Sequence, residues 1–300
     1  MMHKYWGYGL HILSEIEFPE LLPADFEEAD ITISAGIVPQ DLVGEGLIKK
    51  PFSQLTKDEY ILNIKNVCRY YAGFGKTVIF EQDESSELLS VRLFLLGTIM
   101  AAILFQRGEI PMHASAIVKD GKLILFAGNS GVGKSTLLAQ LSSLGYEVFS
   151  DDVCVLKINQ ANEVTGTSSY PMIKLWEDAL DKLDISDFNK DYKVRPEMPK
   201  FGQFFYQTFH KESIPLEKIF ILSPQNTVGE VIINELPSIS GFKQLEKQVY
   251  KFQLIGNTQL RAKQFSLLSK VASQAKIYEV LRPTRGSNVQ ILTQEIEKYL

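Results

Sequence analysis

Cysteine is scarce in this 300-residue chain, and Cys68 and Cys154 stand far apart with no C-x-x-C spacing. That excludes a disulfide framework and a cysteine-built zinc site. Cys154 lies inside the apolar run Val153-Cys154-Val155-Leu156 and reads as a buried thiol rather than a nucleophile or metal ligand. Excess positive charge is lacking too. The 31 Lys and Arg against 36 Asp and Glu leave a net charge of −5, with no Lys/Arg block. The chain therefore has no general attraction for nucleic acid or an anionic membrane. Repeats, low-complexity tracts and long linkers are absent. The strongest apolar run, Val91 to Phe105, is interrupted by Arg92 and closed by Arg107, and is expected to be a buried helix too short to span a bilayer. The first residues, Met1-Met2-His3-Lys4-Tyr5-Trp6, carry no apolar signal core, so the reducing cytosol (a cytoplasmic protein) is the expected compartment.

What is present is an ordinary globular composition, 45% apolar and 22% charged. Residues 1–87 mix short alternating runs such as Asp30-Ile31-Thr32-Ile33-Ser34 and Thr77-Val78-Ile79-Phe80 with turns, and predict a small β-rich N-terminal domain. Residues 88–300 carry the strand and helix signals of an α/β nucleotide-binding domain. Strands are expected at Glu147 to Ser150, Val153 to Ile158, Lys218 to Leu222, Val228 to Leu236 and Ile277 to Leu281. Helices are expected at Gly241 to Phe252, Leu260 to Ser273 and Val289 to Leu300.

The centre of the second part is Gly128-Asn129-Ser130-Gly131-Val132-Gly133-Lys134-Ser135, a complete G-x-x-x-x-G-K-S loop followed by Thr136. It sits between an apolar strand, Leu123 to Ala127, and a helical run from Ser135 to Leu141, the context that makes the string a phosphate site. Glycines let backbone N–H groups converge on an anion, the helix N-terminus adds its dipole, and Lys134 adds a full charge. Ser135 is placed to hold Mg²⁺ between phosphates, so ATP with Mg²⁺ is the expected ligand pair.

Two further signals flank the loop. Asp120-Gly121 between His113-Ala114-Ser115-Ala116-Ile117-Val118 and Leu123 to Ala127 is a hairpin signal. A two-residue turn there sets Lys119 opposite Lys122, Ile117 opposite Ile124 and Ala114 opposite Ala127. The same register brings His113 level with Gly128. Downstream, the strand Glu147 to Ser150 ends in Asp151-Asp152, where phosphate-loop enzymes place metal-linked carboxylates. Neighbouring side chains on an extended backbone point to opposite faces, so the pair is expected to divide its work.

These residues, His113-Ala-Ser-Ala, Gly-Asn-Ser-Gly-Val-Gly-Lys-Ser, Gly145-Tyr146 and Ser150-Asp151-Asp152, closely resemble the HPr serine kinase/phosphorylase family. The resemblance implies a phosphate-loop core related to phosphoenolpyruvate carboxykinase, a mixed sheet with flanking helices. It implies that Lys134 contacts the transferred phosphate, Ser135 and Asp151 serve Mg²⁺, His113 assists, and Asp152 accepts the proton of a substrate serine. The family's further metal-ligating Glu falls on Glu177, which reads equally as the start of an exposed helix. The Glu-x-Arg-Gly signature of the bifunctional enzymes is absent, which speaks against reverse phosphorolysis. The first third, with Tyr5-Trp6-Gly7-Tyr8-Gly9-Leu10, looks more like the stand-alone relatives that modify peptides, among them kinases of lasso-peptide precursors. The HPr enzymes are hexamers, which leaves room for a homo-oligomer here.

A transferring phosphate needs a second cation. Arg195 and Lys200, in a loop-like stretch suited to a flap, rank ahead of Arg282 and Arg285. Three readings follow. A kinase for a serine of a peptide or small protein leads, with peptide recognition assigned to the N-terminal domain. A kinase for a small-molecule hydroxyl and a nucleotide-binding regulatory protein are the others. No Leu-Ser-Gly-Gly-Gln or Asn-Lys-x-Asp string argues for a transporter ATPase or a GTPase.

Overall fold

A computed structural model describes residues 1–183, 192–195, 197–251, 254, 258–285 and 288–300. Its architecture is mixed α/β, with two large sheets and seven α-helices among the described residues. The first sheet is built from β1 (His3–Gly7), β2 (Leu10–Ser14), β3 (Leu22–Pro23), β4 (Ile31–Ala35), β5 (Ile48–Lys50), β6 (Ser53–Leu55), β7 (Glu59–Ile64), β8 (Cys68–Gly73) and β9 (Thr77–Gln82). They lie in the order β3-β1-β2-β4-β9-β8-β7-β6-β5. Tyr8-Gly9 and Phe74-Gly75, each with both φ positive, form the tight turns that join β1 to β2 and β8 to β9.

A long helix follows, α1 (Leu88–Phe94), a π turn (Leu95–Ile99) and α2 (Met100–Gln106). At 19 residues it exceeds the run read from sequence and is long and apolar enough to cross a membrane. Its packing shows what it does here. Ile99 to Phe105 are all buried in one apolar cluster with residues of both sheets, and that burial accounts for the all-round hydrophobicity.

The second sheet contains β10 (Ile110–Met112), β11 (Ala114–Lys119), β12 (Lys122–Gly128), β13 (Glu147–Ser150), β14 (Cys154–Ile158), β15 (Val164–Ser168), β18 (Ile214–Val228), β19 (Ile232–Glu235) and β20 (Lys276–Arg285). A separate ribbon pairs β16 (Met172–Trp176) with β17 (Lys200–Phe204). The helices are α3 (Lys134–Ser143), α4 (Glu177–Leu183), α5 (Ser238–Glu246), α6 (Thr258–Gln274) and α7 (Val289–Glu297). Sequence reading anticipated most of these but not the short β15 to β17. Lys200, expected in a loop, opens a strand.

β12, β18 and β20 run parallel, and β11 lies antiparallel on the other side of β12. Both faces of these strands are covered, which is why they read as continuous apolar runs. Along β12 the side chains alternate between two cores. Leu123, Leu125 and Ala127 join the cluster shared with the first sheet and the long helix. Ile124 and Phe126 join a second cluster with Leu137, Leu141 and Phe220 under α3, and with Leu292 and Ile296 of α7. The consequence is a rigid strand whose carboxyl end delivers Gly128.

Phe126→Ala should therefore be costly. Phe126 is fully buried and stacks on Phe220 with ring centroids 5.7 Å apart. We expect a loss of about 3–5 kcal/mol, read from urea unfolding with an unchanged denaturant slope. A loss below about 1 kcal/mol would show that this strand does not wall the second core.

Candidate active site

The Asp120-Gly121 turn has φ of 50° and 70°, and β11 pairs with β12 in the register read from sequence, from Lys119 opposite Lys122 to Ala114 opposite Ala127. His113, one residue before β11, consequently lies beside the loop. Gly128, Gly131 and Gly133 have φ of 148°, 82° and 97°, values that L side chains avoid. Space excludes a side chain at Gly128, where the neighbour is backbone, and at Gly133 one would displace the Arg282 head group. A Cβ on Gly128 would stand 2.8 Å from the Leu222 carbonyl oxygen, and one on Gly133 would stand 2.8 Å from Arg282 Nη1. α3 begins at Lys134 with no side-chain cap, so its leading N–H groups face the loop cavity without one.

Lys134 is buried. Its ammonium donates to the carbonyl oxygens of Gly128 at 2.8 Å and Asn129 at 3.1 Å, and lies 3.1 Å from His113 Nε2. Burial pushes its pKa down to about 8, against the pull of Asp151 and Asp152. His113 donates from Nδ1 to the Asp152 carbonyl oxygen at 3.0 Å, which leaves Nε2 as an acceptor for Lys134. Burial first, and then the Lys134 charge, keep this imidazole below its ordinary pKa despite Asp152. A neutral His113 thus steers Lys134.

The two aspartates diverge through a backbone kink rather than strand alternation. Asp152 adopts φ of 70°, a left-handed conformation that Asp tolerates better than most residues. Asp151 is buried and turned toward the loop. Its Oδ1 accepts from Ser135 Oγ at 2.9 Å and Ser115 Oγ at 2.7 Å, and its Oδ2 accepts from the Lys174 N–H at 3.0 Å. Asp152 turns the other way. Its Oδ2 pairs with Lys174 Nζ at 2.9 Å and its Oδ1 lies 3.5 Å from His113 Nδ1. Burial opposes its charge, but the charge and hydrogen bond of Lys174 prevail and hold the carboxyl well below the usual carboxylate range. Lys174 is buried as well, and Asp152 overcomes that burial to keep it firmly protonated.

The remaining sequence-derived positions differ in how they relate to this cluster. Asn129, Ser130, Val132 and Thr136 belong to the loop and its helix. Lys200 stands near enough for its charge to act on Asp152, Lys174 and Asp151, and burial lowers its own pKa. Arg195 is placed elsewhere, with its guanidinium 5.8 Å from the centre of the Phe94 ring and 4.0 Å from Glu197. Glu177 is exposed at the start of α4, its N–H donating to the Pro199 carbonyl oxygen. Arg282, ranked lower from sequence, is on the loop. It lies toward the carboxyl end of β20, the parallel strand two places from β12, and its Nη1 donates to the Val132 carbonyl oxygen at 2.8 Å.

Lys174, Ser115 and Arg282 carry signals that sequence reading missed or underweighted. A lysine between Ile173 and Leu175 in an apolar strand demands a buried carboxylate. Ser115 is two residues from His113 on extended backbone and so shares its face.

The residues fit a magnesium–triphosphate. The glycine cradle and uncapped helix suit an anion, and the Ser135 and Asp151 oxygens suit a hard cation. No group of three or more His, Cys, Asp or Glu among the described residues forms a metal site.

No family model matches the chain, and no curated protein matches it. Solved structures do. One is the HPr(Ser) kinase/phosphatase from Coxiella burnetii, 13% identical, covering 63% of this chain and 89% of that chain with a TM-score of 0.33. A superposition so loose leaves the functional reading to the geometry of the site itself.

Lys134 gives this geometry a pH signature. Between about pH 8 and 10.5 the unfolded chain holds a proton on Lys134 that the folded chain has released. Stability from this residue therefore rises with pH across that window, by at most about 1.4 kcal/mol per unit. Lys134→Met should be more stable than the wild type at pH 7, and the advantage should shrink toward pH 10.5. A constant difference in urea midpoints over that range would show that Lys134 is not held against its charge.

Proposed function

We propose that this chain is an ATP- and Mg²⁺-dependent kinase that transfers the γ-phosphate to a serine hydroxyl of a peptide or small protein. The observation that carries the reading is Asp152. It is a carboxylate locked in its ionised form by Lys174, beside the His113–Lys134 contact and turned away from the Ser135–Asp151 pair. Asp152 also neutralises buried Lys174, but its nearness to His113 and its separation from the Ser135–Asp151 pair suit a proton acceptor beside the phosphate loop.

The roles follow from the contacts. The glycine loop and the N-terminus of α3 bind the phosphates; Ser135, with Asp151 behind it, would hold Mg²⁺, which would supply positive charge to the phosphates when bound. Lys134 moves from the carbonyls of Gly128 and Asn129 to the γ-phosphate oxygens. Arg282 and Lys200 supply the further positive charge. As the acceptor oxygen bonds to phosphorus and the bridging oxygen departs with ADP, Asp152 takes the hydroxyl proton. A strongly acidic carboxyl is a weak base. It suffices, because in a loose phosphoryl transfer the hydroxyl gives up its proton late, when the new O–P bond makes it acidic.

We assign the same architecture to a two-part division of labour, with residues 1–87 recognising the acceptor and residues 88–300 performing the chemistry. A cytoplasmic setting and a peptide of the lasso-precursor type fit this reading.

Asp152→Asn should cut phosphoryl transfer by about 10²–10⁴-fold while nucleotide affinity stays within about threefold. The assay pairs calorimetric ATP binding with mass spectrometry of serine-containing peptides after incubation with ATP and Mg²⁺. Transfer at wild-type rates would remove Asp152 from the mechanism.

A further inference from the structure

The first sheet is wider than the helix that covers it. The helix packs on the middle of the sheet, where the Phe94 ring lies 6.1 Å from that of Tyr70 on β8. Beyond that contact β5, β6 and β7 extend past the helix. Their pairing sets Ile48 opposite Leu55, Lys50 opposite Ser53, and Leu55 opposite Tyr60, so these side chains form one continuous face. Between that face and the helix is an open slot of about 270 Å³, floored by Leu55, Tyr60 and Leu62, walled by Phe94, and flanked by Lys50 and Lys251.

Three properties define what fits it. The floor is apolar. The two lysines are exposed, and neither forms an ion pair among the described residues, on a chain whose overall charge is −5. The outer edge of β5 has no strand paired to it among the described residues, so it offers main-chain donors and acceptors. One residue at the rim of the slot adjoins a residue in contact with the candidate active site. Lys251 follows Tyr250, whose ring lies 5.6 Å from that of His113.

We infer that this slot docks an extended acidic peptide with alternating apolar side chains, and that this peptide is the acceptor substrate. The identity of the occupant as substrate rests on the kinase reading; the docking does not. The apolar side chains enter the slot, the carboxylates meet Lys50 and Lys251, and the backbone runs along β5 toward Tyr250.

The probe is a short fluorescein-labelled peptide of alternating leucine and glutamate ending in serine, compared with its lysine-for-glutamate counterpart. Fluorescence anisotropy with the full chain is expected to favour the acidic peptide, although the net charge of the protein favours the basic one. The double variant Lys50→Glu/Lys251→Glu should weaken acidic-peptide binding by at least about tenfold and leave ATP binding unchanged. Both lysines are exposed, so folding is not at stake. Equal binding of the two peptides, no binding of either, or wild-type binding by the variant each overturns the inference. Acidic-peptide binding with the expected charge dependence, but no phosphate transferred, would sink the kinase reading and leave the docking site standing. Phosphorylation of serine peptides with the same KM by wild type and variant would do the reverse.

Discussion

A lysine ammonium removed from water costs several kcal/mol unless a carboxylate is held against it, and at Lys174 that carboxylate is Asp152, 2.9 Å away. The pair fixes more than its own two charges. Lys174 also donates its backbone N–H to Asp151, so one residue of β16 anchors both aspartates. Asp152 in turn accepts from His113, and His113 accepts from Lys134. The chain of contacts runs from β16 through the left-handed turn at Asp152 to the phosphate loop, and each link fixes the orientation of the next. Removing Lys174 would leave Asp152 short of its main counter-charge and free both the turn and the imidazole.

The site can be this exact because the strands that carry it have no freedom of their own. β12 is buried on both faces, with alternate side chains committed to different cores, so a one-residue slip would exchange the two sets. β18 and β20 run parallel beside it, so all three carboxyl ends point to one edge of the sheet; Gly128 is level with Leu222 and Leu222 with Val280, and β18 and β20 continue past that level to Val228 and Arg285. That common carboxyl edge is where an open parallel sheet presents ligands. Arg282 reaches the loop because it lies two residues beyond Val280 on the same edge.

Much of this was legible in the residues. The Asp-Gly turn sets the register of β11 and β12 by itself, since both central residues must take positive φ and the two strands then have a single alignment. From that alignment the position of His113 follows. Asp151 and Asp152 were legible as a pair because a strand ends in them just past the loop helix. Their division of work was not legible in detail, because strand alternation says nothing of a left-handed residue. Lys174, Arg195 and Arg282 mark the limit more clearly. All three are cations in unremarkable surroundings, and which of them meets the loop depends on strand order, a long-range property. Arg195 lies against Phe94 of α1; Arg282, more than a hundred residues past the loop, lies on it.

The electrostatics of the site also suggest where binding energy for a polyanion comes from. Lys134, Lys200 and Arg282 each have a depressed pKa, and in every case burial is the main cause. These three cations hold their charge at a cost in the folded chain. The nearby carboxylates do not relieve it fully, because Asp152 is taken up by Lys174 and Asp151 by two hydroxyls and a backbone N–H. A triphosphate entering the glycine cradle would supply the missing negative charge to all three at once, and their pKa values would climb back. Part of the free energy spent in burying them would then be returned on binding. On the kinase reading proposed above, the same relief would be greatest in a transition state whose charge spreads over the three oxygens of the phosphate in flight.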